Sequence, residues 1–179
     1  TISLEQVLDL AARQQEINDL PVVITGSFDK EKVFLLDNQP NNGQLGYRVL
    51  QVLKAGSHSV LVNLGWVLGS VNRQQLPAIL PVTGEHSISG HIRKVELGIM
   101  LMEQNFANAS WPLRVQQIEL DKFSTLIGQP LLPFVVYLDK DEDIGYHKNW
   151  QPIVMPPEKH RAYAFQWFSL AIAWLALMV

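Results

Sequence analysis

At Leu20-Pro21 the apolar residues change period, and that change constrains the fold more than any other feature of the sequence. Before it, SLEQVLDLAARQQEIND (Ser3 to Asp19) sets Leu4, Val7, Leu8, Ala11 and Ala12 at helical spacing behind a Ser cap, the pattern of an amphipathic helix. After it, PVVITGSFD, EKVFLLDN, LGYRVLQVLK and SVLVNLGWVL are short runs rich in Val, Leu and aromatics, separated by Asp-Lys, Asn-Asn-Gly and Ala-Gly-Ser-His. The runs have the composition of strands and the separators that of turns, so consecutive antiparallel strands are predicted. The strongest hairpin spans Ala55 to His58, with Val49, Gln51 and Leu53 facing Val60, Val62 and Leu64. The strand pattern resumes at Ile79 to Thr83, continues through SISGHIRKVEL and ends with LLPFVVYLD, Leu131 to Asp139. Between them, Ile118 to Ile127, capped by Asp121 and closed by Gly128 and Pro130, reads as a short helix. With about six or seven strands at such spacings, the expected fold is mainly β (α+β), a small antiparallel barrel or sandwich with an N-terminal helix.

The chain has 179 residues, enough for one domain with a substantial core and few for two. A net charge of -3 leaves no basic footprint for phosphates, which argues against nucleic acid as a partner. The absence of cysteine excludes disulfides, thiolate nucleophiles and zinc-thiolate sites. No carboxylate pair, phosphate loop or nucleophile elbow stands in a convincing context, so no enzyme is expected. Asp139, Asp141 and Asp143 have the spacing that begins a calcium loop, but Trp150 stands where the bidentate Glu belongs. That stretch reads as a solvated connection.

The last 18 residues, 162–179, carry no charge. As a helix they extend about 27 Å, against roughly 30 Å of bilayer hydrocarbon. The bland alternative is a buried helix; a membrane anchor fits better, because apolar residues occupy every face. The expected organisation is a β-rich domain with its N-terminal helix over 1–157 and a C-terminal transmembrane helix over 158–179. Thr1 in place of an initiator Met leads to the expectation of a processed or truncated chain, with any leading signal or anchor absent.

Of the five histidines, His58 sits in a turn, and His86 and His91, five apart on a strand, point to opposite faces and cannot clip a metal together. Solvent-facing imidazoles are expected there. His160 stands just before the uncharged run, and on a helix it shares a face with Tyr163, Ala164 and Trp167. It reads either as an interfacial side chain beside Lys159 and Arg161 or as an axial ligand for haem iron. Gly65-Trp66 likewise reads either as a bulge that turns an aromatic outward or as a core Trp packed where the backbone needs room.

Taken in order, GSFD (Gly26 to Asp29), LGYRVLQVL (Leu45 to Leu53), VLVNLGWV (Val60 to Val67), WPLRVQQIELDKF (Trp111 to Phe123), GQPLLPFVV (Gly128 to Val136) and PPEKHRAYAFQWFSLA (Pro156 to Ala171) resemble the surfeit locus protein one family. The resemblance implies an assembly factor for haem-copper cytochrome c oxidase, not an enzyme. It implies a domain between two transmembrane helices of the inner membrane, on the periplasmic side in bacteria or the intermembrane side in mitochondria. It further implies transient binding of haem a, with His160 as ligand to the iron and Tyr163 and Trp167 as the aromatic positions that follow. Oxidase subunits and membrane lipid are the implied partners, and Gly65 and Trp66 are the positions expected to contact a subunit in a cofactor-free scaffold. The basic residue that the family usually places before Gly-Trp is Leu64 here. A lipocalin-like lipid binder, a third reading of the strands, would require a wide barrel.

Overall fold

The computed structural model describes residues 1–95, 106 and 109–150, and the chain divides into two units, Thr1–Asn149 and Trp150–Val179. The transmembrane helix expected over 158–179 lies outside the described residues. Among the described residues no helix is long and apolar enough to cross a membrane.

The elements in order are β1 (Ile2–Ser3), α1 (Leu4–Ala12), β2 (Pro21–Asn41), β3 (Gln44–Ala55), β4 (His58–Leu68), β5 (Gly84–Lys94), β6 (Leu113–Val115), α2 (Leu120–Ile127) and β7 (Leu131–Leu138). Strand pairing runs β2-β3-β4-β7-β5 and returns from β5 to β2, which closes a five-stranded barrel; β1 and β6 add short parallel pairings to β2. The fold is therefore mainly β, as expected, but mixed rather than antiparallel, because β4 and β7 run parallel. Parallel neighbours need a crossover, and the chain supplies it through β5, β6 and α2.

Two of the three turns predicted from turn chemistry are present, each closing a hairpin. Asn42 and Gly43 turn β2 into β3 with φ of 51 and 78, the positive pair that a two-residue hairpin favours, and Gly56, φ 62, opens the turn between Ala55 and His58. Leu53 faces Val60 and Gln51 faces Val62 as predicted, but Val49 pairs with Gly65 instead of Leu64 because a bulge intervenes. Three other expectations need correction. PVVITGSFD and EKVFLLDN are one 21-residue strand: Asp29-Lys30 is not a turn but part of an irregularity between Phe28 and Val33 that bends the strand from β5 toward β6. Ile79 to Thr83 forms no strand; Pro77 and Pro81 lack ladder donors, and the Gln51 side chain, not a ladder, bonds both the N–H (3.1 Å) and the C=O (2.7 Å) of Val82. The first helix ends at Ala12, since only polar residues follow until Ile17 and Gln14 adopts φ 60.

At the helix starts, Ser3 caps α1 in a capping box with Gln6. Asp121 does not cap α2; it lies in its first turn, and Glu119 occupies the cap position.

Strands β3 and β4 are buried on both faces, which explains their near-continuous apolar runs. On the outer face Phe34, Leu50, Val52, Leu61 and Val135 pack with Phe123 of α2, whose ring stacks on Phe34 at 4.1 Å. The alternate residues Val49, Leu53, Val60 and Val62 face the interior, all below 2% exposed. Five strands enclose too little space for a lipocalin-like cavity, so side chains fill the barrel.

Candidate functional site

The predicted haem-binding residues His160, Tyr163 and Trp167 lie outside the described residues. The predicted contact pair Gly65-Trp66 lies at the end of the barrel where β2 turns into β3 and β4 terminates, and its geometry follows from the bulge at Leu64. Gly65 has φ +124, a conformation side chains rarely adopt, and a Cβ there would come within 2.8 Å of the His147 carbonyl oxygen. The close approach belongs to the segment Gly145–His147, which lies against the end of β4. Tyr146 N–H donates to the Leu64 carbonyl at 2.8 Å, and Trp66 N–H donates to His147 at 2.7 Å. Asn63, buried, accepts from Gly65 N–H at 3.1 Å and steadies the bulge from below.

Trp66 is 8% exposed. The bulge does not turn it outward; of the two readings of Gly65-Trp66, the core Trp packed where the backbone needs room is the one the structure shows. Its indole N–H donates to the Gln39 carbonyl at 2.6 Å, and the missing side chain of Gly46 gives its ring room against β3. Leu64, the residue before Gly65-Trp66, is fully buried.

Around this pair is a polar network that sequence reasoning missed. Asp37 is buried, 3% exposed, yet it is a carboxylate. Arg73 reaches both its oxygens at 3.2 and 3.0 Å, Gln116 donates to one at 3.2 Å, and Asn38 N–H to the other at 2.8 Å. Gln39 donates to the Asp37 carbonyl and accepts from Arg48, whose pKa burial lowers. Arg114 donates to the Arg73 carbonyl and lies 5.8 Å from the Tyr47 ring centroid. The only sequence signal was an acid closing the apolar run VFLLD. The partners lie up to 79 positions away, out of reach of any local pattern.

The histidines fare differently. His86 hydrogen-bonds the Thr83 carbonyl at 2.9 Å and meets the Phe28 ring edge-on. His91 is not simply solvent-facing: it is half-buried, 3.7 Å from Asp139 and 5.6 Å from the Tyr137 ring. Burial, with Arg93 nearby, lowers its pKa, while Asp139 pulls the other way. The two occupy strand positions opposite Gly26 and Pro21, too far apart to share an ion. Hydrogen bonds of the kind made by Trp66 and Arg73 hold the barrel end together.

The model of the SURF1 family matches residues 2–172, nearly the whole chain. This chain belongs to the SURF1 family. The family is generally linked to cytochrome oxidase assembly, and its members are assembly factors. No curated protein matches the chain. The match extends across the barrel and through His160, Tyr163 and Trp167, so the family's C-terminal segment is part of what is recognised.

Proposed function

We propose that this chain is a membrane-anchored, non-enzymatic assembly factor that binds haem a transiently at the inner-membrane face and aids its insertion or retention in cytochrome c oxidase. One observation carries the reading: the SURF1 family match continues past the barrel to residue 172, taking in His160 and the uncharged run from 162 as far as 172. An imidazole is the usual protein donor to haem iron, and aromatic side chains three and seven positions on suit packing against a macrocycle, so the donor set fits the group. When bound, haem a would bring the redox iron that the oxidase requires. His160 would donate a ring nitrogen, Tyr163 and Trp167 would bury the ring from water, and the residues 162–179 would hold the protein in the bilayer. The domain would sit on the periplasmic side, or on the intermembrane side of a mitochondrion.

The test is an absorption spectrum of the full chain purified in detergent from cells that synthesise haem a, beside His160→Ala. A haem a Soret band that vanishes in the variant is the expected result. A band of equal strength in both would remove His160 from the site, and no band in either would leave a cofactor-free scaffold.

A further inference from the structure

Three of the five exposed large hydrophobic residues among the described residues lie at the barrel end that carries Trp66. Residues 38–47 and 66–72 contain no acidic or basic side chain, and within them Leu45 is 42% exposed, Leu68 50% and Val71 106%. Pro40, cross-strand from Leu45, is exposed too. Gly46 pairs with Leu68, so alternation along β3 sends Leu45 and Leu68 to opposite faces. Apolar surface thus wraps the end instead of covering one flat side. The backbone there is paired: Asn41 opposes Gln44 across the turn, and Gly69 N–H donates to the Leu45 carbonyl at 3.2 Å. A surrounding poor in water demands such pairing. The apex, Asn41 to Gln44, carries uncharged amides. Set back from it are Arg73 and Arg114, with Arg48 held inward on Gln39, and the acid bonded within this group, Asp37, is buried under Arg73.

We propose that this end of the barrel rests on the anionic headgroup surface of a lipid bilayer, with Leu45, Leu68 and Val71 entering the interface and Arg73 and Arg114 at headgroup level. Apolar side chains on both faces of a narrow tip suit a fluid slab that closes around them; a flat protein partner would leave one face in water. Arg114, and Arg73 on the outer side of its pair with Asp37, suit anionic lipid, since a cationic group near the surface adds attraction. The last described residues are near this end: Tyr146 and His147 bond to Leu64 and Trp66, next to Leu68. Ala162, the first residue of the uncharged run, is 12 positions beyond Trp150, a tether of at most about 40 Å. The proposal rests on the reading of 162–179 as a membrane anchor.

Because the chain has no cysteine, single-cysteine variants can carry an environment-sensitive fluorophore. Three are needed in the full chain reconstituted in liposomes containing anionic lipid: Val71→Cys at the tip, Ser57→Cys on the opposite hairpin and Ala173→Cys in the tail. The expected result is loss of most Val71-probe emission to lipid-attached quenchers with protection from iodide, and the reverse for the Ser57 probe. If the Val71 probe is as open to iodide as the Ser57 probe while the Ala173 probe is quenched from lipid, the tip proposal fails and the anchor stands. An Ala173 probe open to iodide would sink the anchor and the tip proposal with it. A Val71 probe shielded from both quenchers would mean a protein covers the tip, which also overturns the lipid assignment.

Discussion

The hairpin β2-β3 and the hairpin β3-β4 are turned by the same device, two residues that include a glycine at positive φ, and they finish opposite ends of the barrel. Beyond the turns they diverge. The Gly56 end carries Asp29, Lys30, Glu31, Lys54 and Glu85, with Lys54 3.7 Å from Asp29 in a half-exposed ion pair. At the Gly43 end no charge lies within the turn, polar groups are satisfied internally by Trp66, Gln39, Asp37 and Arg73, and apolar side chains reach outward. With the Gly43 end on a bilayer, as proposed above, solvation would explain the difference. A water-facing end needs only surface charge, whereas an end removed from water must settle its hydrogen bonds within the protein.

That contrast predicts where substitutions hurt. Trp66→Ala should be the most costly, about 3–5 kcal/mol in denaturant unfolding, since it empties a large buried site. Gly65→Ala should follow, because strain of about 1–3 kcal/mol is joined by the clash with Gly145–His147; hydrogen exchange should then show Trp66 N–H losing protection. Asp37→Ala should cost about 1–3 kcal/mol by stripping Gln116 and the Asn38 N–H of their acceptor, and the loss should change little with salt. His91 lies between the ends and offers a pH reading. Its folded imidazole binds a proton less readily than the unfolded one, whose ordinary value is 6.5. Stability should therefore be full above that pH and fall below it, and a melting series with His91→Asn should flatten the slope. Smallest is Lys54→Ala at the charged end, within about 1 kcal/mol and shrinking further in salt. Equal costs for Lys54→Ala and Trp66→Ala would break the comparison.

Much of the barrel was legible because local chemistry decided it. Asn-Asn-Gly, Gly56, the Ser3 cap and Gly128 each act over a few residues, and the structure uses all four. The misreadings share a cause in what lies far along the chain. Asp29-Lys30 has turn composition, yet β3 and β5 hold it within one strand. Val82 satisfies its backbone through a glutamine 31 positions earlier, so its strand-like run forms no strand. Gly65 was visible as either a bulge or a close approach, and it is both. The network around Asp37 joins β2 to the chain at Arg73 and Gln116, a juxtaposition only the closed barrel creates. For His160, Tyr163 and Trp167 the sequence and the family match remain the support, since they lie outside the described residues.

The most direct measurement of the central claim, that this protein serves the haem a centre of cytochrome oxidase, is the haem a content of oxidase purified from cells lacking it. Haem a per oxidase should be well below that of the parent, restored by the intact chain and not by His160→Ala. An unchanged haem a content without the protein would contradict the claim.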